Sequence, residues 1–353
     1  MNNIYRYLNE KNLNTSNEVN KKTKIYLDTK YWIEICDVLR GVKKNEDIQK
    51  IYLYLREGVQ DNKLICPISQ PIFKEVLKQN DEESLKQTLK IMDELSHSII
   101  ICHDKTIFTL ELYNFFYDNL QIEIDRTLSK NFWCKSPVHM YGIKIRYFQN
   151  LTNEENFLRQ KNYFDKVEKY TFLNYIAKLS MDDLKMYRDS KIDTNWFEQN
   201  KQKNINEYNT FDKLYMAEIF GTINDWYKND IKEIFNKVVS NISEKEKKSF
   251  TNENISDEIY KHFKQKKMNL YLPSLDIGSM LHAKFVWNKT QKYKQGDMDD
   301  IRHAIIALPY YNYFFTEKSL HNMIKECNYD EKYSCVVASK NKQIIDILEK
   351  LNC

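Results

Sequence analysis

The stretch "KIYLDTKYWIEICDVL", Lys24–Leu39, decides the fold. Ile25-Tyr26-Leu27 is an apolar run of strand length, and Trp32, Ile35, Cys36 and Leu39 then recur at helical spacing. Between them stands Asp28, where a neutral turn residue would cost less. As an N-cap of the following helix it would contribute about 1 kcal/mol. In a parallel sheet it would instead stand where ligands bind, outside the carboxyl ends of the strands.

Working outward, "KLICPIS" (Lys63 to Ser69) is a second strand candidate. It runs into "QPIFKEVLKQ", where Pro71 fits the first turn of a helix. "HSIIIC", His97 to Cys102, is a third apolar run. "GDMDDIRHAIIALPYYNYFFTEKSL", Gly296 to Leu320, holds a helix that Asp297 or Asp299 can cap and that Pro309 should stop. "YNYFFT" and "YSCVVAS" follow as strands, and "KNKQIIDILEKL" as a last amphipathic helix. Strands alternating with helices at both ends predict an α/β fold with a doubly wound parallel sheet flanked by helices. The middle is long, helical in pattern and almost free of Gly and Pro. The expected plan is a polar, poorly ordered lead-in over 1–23, the two halves of the sheet domain over 24–103 and 276–353, and an all-helical insertion or cap over 104–275.

Composition sets outer limits. The 353 residues suffice for a sizeable core, and six glycines and five prolines predict short loops. A net charge of +4 is a weak bias towards polyanions. The seven cysteines form no C-x-x-C pair and no zinc spacing, which predicts free thiols in a reducing cytoplasm. The N-terminal residues lack the apolar core of a signal peptide, and no run approaches the ~20 apolar residues of a membrane span. There is no Gly-rich phosphate loop and no G-x-S-x-G elbow.

Four acids hold equivalent places: Asp28 closes the first strand, Glu75 lies early in the next helix, Asp300 stands in the first turn of the "GDMDD" helix, and Glu317 follows a late strand. Adjacent parallel strands would bring all four to one rim. Carboxylates bunched without a cysteine partner suit a hard divalent cation, Mg²⁺ or Mn²⁺. Such ions stabilise phosphoryl charge, and a pair of them clamps both the attacking and the leaving oxygen. Singly, each acid has a plainer explanation: a cap, a solvated helix residue, or complements to a positive helix end, Asp297 included. Asp300, His303, Ala304 and Ala307 share one helical face, on which His303 is either a core residue or a partner of a ligand or of the scissile phosphate.

"IYLDTKYWI", "PISQPIFKEVL" and "GDMDDIRHAIIALPYYNYFFTEKSL" together resemble the motifs of PIN-like ribonucleases. The resemblance covers roughly 24–103 and 296–350 and implies metal ligands at Asp28, Glu75 and Asp300, Mg²⁺ or Mn²⁺ as cofactor, and hydrolysis of RNA phosphodiesters. The family's late T-x-D is replaced here by Thr316-Glu317-Lys318, so Glu317 stands one place early as the fourth ligand. The expected activity is an endoribonuclease on single-stranded RNA, in a toxin or phage-defence setting.

Before the acidic helix, "KFVWNKTQKYKQ" interleaves Lys284, Lys289, Lys292 and Lys294 with Phe285, Trp287 and Tyr293. Lysines can neutralise phosphates and aromatics can stack on unpaired bases, Trp287 among them. The bland alternative turns the aromatics inward and the lysines to water. The insertion is expected to shape access or to carry a homodimer or regulatory-partner interface. Two other readings compete. An aspartate-nucleophile phosphatase loses its general acid to Lys30, and a non-catalytic RNA- or protein-binding module is favoured by Lys318.

Overall fold

Ile25, Tyr26 and Leu27 are all buried, as a strand covered on both faces requires, which is why their run is continuous rather than alternating. The computed structural model describes residues 3–120, 131–142, 145–180, 194–240, 251, 254–265, 271–294 and 296–353. The chain opens with α1 (Asn3–Val19) and enters β1 (Thr23–Leu27). Helices α2 (Thr29–Leu39) and α3 (Glu46–Gln60) lead to β2 (Leu64–Ile65), and α4 (Gln70–Val76) and α5 (Glu82–Ser96) to β3 (Ile99–Ile101). After α6 (Asp104–Asn119) come β4 (Trp133–Lys135), α7 (Asn153–Val167), α8 (Phe172–Ile176) and α9 (Thr194–Glu207). Then follow α10 (Phe211–Gly221), α11 (Lys228–Val239) and α12 (Ile255–Lys264). Helices α13 (Pro273–Trp287) and α14 (Asp297–Tyr310) return the chain to β5 (Tyr313–Phe315). Helices α15 (Lys318–Glu326) and α16 (Tyr329–Lys332), strand β6 (Val336–Ala338) and α17 (Asn341–Asn352) complete it.

The main sheet has the order β2-β1-β5-β6 and is parallel throughout. Leu27 pairs with Phe315, so β1 and β5 end at the same level. The chain leaves β1 towards β2 on one side and later returns to β5 on the other, which opens a crevice at their carboxyl ends. Helix α3 packs on α17 at Gly58, where a Cβ would lie 2.4 Å from the Leu64 side chain. Glycine is therefore needed there despite costing a helix about 1 kcal/mol against alanine. Pro71 lies in the first turn of α4 as its missing N–H allows, while Pro309 lies inside the last turn of α14 instead of ending it.

Two expectations are corrected. The region 104–275 is not all helical: β4 pairs antiparallel with β3, and Ile68 bridges to Ile100, so this pair flanks the main sheet on the β2 side. A three-residue strand is too short to leave an alternating pattern. Trp133, Cys134, Met140 and Phe172 belong to the main core, whereas α6, α10, α11 and α12 enclose a second core around Phe115, Phe116, Ile219 and Phe235. The lead-in is also ordered. It forms α1, which buries Ile4, Leu8 and Val19 and packs on β4 and α7. Lys11 pairs there with Asp165 at 2.6 Å and with Glu168. Three apolar anchors among polar residues hid the helix. No helix among the described residues is long and apolar enough to cross a membrane.

Candidate metal centre

Asp28 follows β1 directly and does two things at once. Its Oδ1 accepts from the Lys30 amide at 3.4 Å as the N-cap of α2, and its Oδ2 accepts from the Thr316 hydroxyl at 2.7 Å across the β1–β5 crevice. The sheet fixes it further, since the Asp28 N–H donates to the Phe315 carbonyl at 2.9 Å. One carboxylate, only 6 % exposed, thus caps α2 and stands at the carboxyl end of β1.

Glu75 reaches the same point from α4. Its Oε2 accepts from the Thr29 hydroxyl and from His303 Nε2, the latter at 3.0 Å. His303 comes from α14 and is 1 % exposed, and its Nδ1 meets the Tyr26 hydroxyl at 2.6 Å. Tyr26 in turn meets Ser69 Oγ at 2.6 Å. Ligand-capable atoms of Asp28, Glu75 and His303 lie within 4.8 Å of one another. Ala304 and Ala307 are fully buried, so the small-residue face of α14 is the packed face, as its spacing predicts.

Asp300, one turn before His303, is partly buried. Burial pushes its carboxyl up to about 7; the His303 imidazole opposes this, and the charges of Asp28, Glu75 and Glu317 add to it. Burial disfavours charge on His303, but the hydrogen bond to Glu75 and the surrounding carboxylates outweigh it and raise it to about 9. Burial likewise works against charge on Glu75, yet the His303 bond holds that carboxyl below its ordinary value. Both imidazole nitrogens are engaged, by Tyr26 and by Glu75. The group whose atoms could hold a metal ion is Asp28, Glu75 and His303, and Asp300 stands outside it, linked to the three by charge.

The other predicted residues lie apart. Glu317 caps α15 with its backbone, makes no side-chain cap bond and is exposed, and its charge is felt at Asp300. Asp297 closes a turn by accepting from the Lys294 amide at 2.5 Å. Asp299, its neighbour, pairs with Lys78 at 3.5 Å and Arg302 at 3.3 Å. In the basic strip the aromatics point inward: Phe285 and Tyr293 are buried against each other, and Trp287 sits partly buried with its edge to Phe211. Lys284 lies 3.7 Å from Glu326, while Lys289, Lys292 and Lys294 are exposed.

Sequence reasoning missed Tyr26, Ser69, Thr29 and Thr316, which hold the acids and the imidazole in place. Two of them left a signal, since hydroxyl residues directly flank Asp28 and Glu317. It also missed the cations beside Glu75. Lys78 lies near enough to lower the Glu75 carboxyl, and half-buried Lys74 is pushed down by burial and by Arg302. No protein-family model, no curated protein and no solved structure matches this chain.

Proposed function

We propose that the chain is a divalent-metal-dependent endoribonuclease of PIN-like type, acting on single-stranded RNA. The observation that carries this is the convergence of Asp28, Glu75 and His303 at the carboxyl ends of β1 and β5, with Asp300 close enough to feel their charges. The like charges push Asp300 towards its neutral form, and one imidazolium offsets only part of the charge that remains, so the site favours a further cation. Mg²⁺ or Mn²⁺ held there would supply Lewis-acid stabilisation of the charge that develops on a phosphoryl group. The chain's own residues do the rest. Thr316 and Thr29 fix the Asp28 and Glu75 carboxylates, and the Ser69–Tyr26–His303 chain aims the imidazole at Glu75. Lys74, Lys78 and Arg302 set positive charge beside the acids, where a phosphate backbone would approach.

The test is decay of a labelled single-stranded RNA in Mn²⁺. The wild type is expected to cleave and EDTA to stop it, while Asp28→Asn should lose at least a hundredfold in rate. Cleavage by Asp28→Asn at the wild-type rate contradicts the proposal. A second reading, a non-catalytic module that binds RNA or a protein, is favoured by the His303–Glu75 pair, because that pair partly neutralises the cluster without a metal. RNA binding that survives EDTA, with no cleavage in any metal, supports it.

A further inference from the structure

Helix α14 has two occupied faces. Asp300 and His303 look to the carboxylates, whereas Met298, Ile301, Arg302 and Ile305 line a cavity of about 1330 Å³ between α14 and the insertion helices. That volume exceeds the ~300–1,000 Å³ of a pocket built for one small molecule. Three of the chain's exposed large hydrophobics line it: Trp226 at 74 % exposure, Trp196 at 51 % and Phe220 at 47 %. Exposed aromatics gathered round one cavity mark a binding surface. Trp226 ends a π-helical turn, Thr222–Trp226, a geometry that recurs at functional sites.

The polar lining narrows the chemistry. Lys203, Lys213, Lys264 and Arg302 bring cations to the walls. Asp104, Asp212, Glu218 and Asp225 also line it, with Glu218 held by His282 at 2.9 Å, so this is no uniform anion track. Two lining oxygens are buried with no hydrogen-bond partner among the described residues, Ser279 Oγ and Asp104 Oδ1, and Ser279 is 4 % exposed. A buried polar atom left unpaired costs stability that a ligand's hydrogen bond would restore. A ligand with aromatic faces, donor and acceptor edges and an anionic link meets all of these features together.

We infer that this cavity takes the unpaired bases of a single-stranded RNA, stacked on Trp226, Phe220 and Trp196, with Asp104 and Ser279 reading base edges. The inference rests on the nuclease reading and supplies its substrate site: the backbone would pass Arg302 and round α14 towards Asp300. Stacking on exposed aromatics tolerates any base, because every base has a π-face. Trp226 is surface-exposed, so its removal leaves the core intact.

The experiment is fluorescence anisotropy of labelled octa-adenylate and octa-uridylate with the full chain in EDTA, where no cleavage occurs. Wild type should bind both oligomers, and Trp226→Ala should weaken that binding about tenfold, with Ser279→Ala changing the preference between the two oligomers. Equal affinity for Trp226→Ala and wild type, or no binding by either, overturns the inference. Displacement of the oligomers by adenosine or uridine monophosphate at the oligomers' own concentration also overturns it, because the cavity is then a mononucleotide site. Loss of cleavage in every metal with cavity binding intact fails the nuclease reading alone.

Discussion

Two groups of buried acids in this protein are built on opposite plans. Asp276 on α13 is fully buried and accepts from Tyr215 and Tyr333 and from Lys332, the last at 2.6 Å. Glu111 on α6, 2 % exposed, accepts from Ser274 Oγ at 2.6 Å and Tyr310 at 2.5 Å. Each of these carboxylates stands alone among donors and ties the second core to the sheet domain. At the β1–β5 crevice the acids face one another instead, and a single imidazole stands among them. The difference separates carboxylates that hold a fold from carboxylates gathered for something else, because crowding like charges lowers stability unless a cation joins them.

Mutation should split the two groups. Asp276→Ala removes the partner of the Lys332 ammonium and an acceptor of two half-buried tyrosine hydroxyls, and should cost about 3 kcal/mol or more. Asp28→Asn keeps one oxygen for the α2 cap and can turn its amide N–H to the Thr316 hydroxyl oxygen, and should leave the metal-free protein as stable as wild type or more so. Chemical denaturation of both variants without metal makes the comparison, and equal losses would erase the distinction.

Glu111 sharpens it through pH. Burial pushes this carboxyl from an ordinary value near 4.5 up to about 7, against three hydrogen-bond donors. Between those values the folded state binds more protons than the unfolded one, so stability is highest below about pH 4.5 and falls until about pH 7. The full span is on the order of 3 kcal/mol. Glu111→Gln should flatten that part of the stability–pH curve, as urea titrations at several pH values would reveal. A slope unchanged by the substitution would mean that Glu111 is ionised in the fold.

Smaller effects are expected at the edges. Glu317 is exposed and acts on the cluster through its charge, so Glu317→Gln should slow cleavage less than Asp28→Asn does and raise the Mn²⁺ concentration required. A silent Glu317→Gln leaves three acids at the site. Replacing Lys289, Lys292 and Lys294 with Gln should shift stability by no more than about 0.5 kcal/mol. It should flatten the dependence of log RNA affinity on log salt by roughly 0.7 for each phosphate no longer neutralised. An unchanged slope would leave these exposed lysines idle.

What the sequence disclosed follows from where its signals are local. Strand β1, the Asp28 turn, Pro71 opening α4 and the 3.6-residue pattern of α14 are written in adjacent residues, and each is where its pattern predicts. The partner of His303 was not legible, because Tyr26, Glu75 and His303 are brought together only by three separate elements. Helix α1 and strand β4 escaped because few or short apolar positions hold them. The basic strip left both of its readings open because a lysine-rich amphipathic segment reads the same whether its aromatics stack on bases or on the core.

The most direct test of the metal centre is thermal unfolding of wild type and Asp28→Asn, with and without Mn²⁺. An ion that binds only the folded state stabilises it by mass action. A metal held by Asp28 predicts a saturable rise in Tm for the wild type, no Mn²⁺ response in Asp28→Asn, and a metal-free Tm for the variant at or above that of the wild type. A wild-type Tm indifferent to Mn²⁺, together with an Asp28→Asn variant that is destabilised without metal, would contradict it.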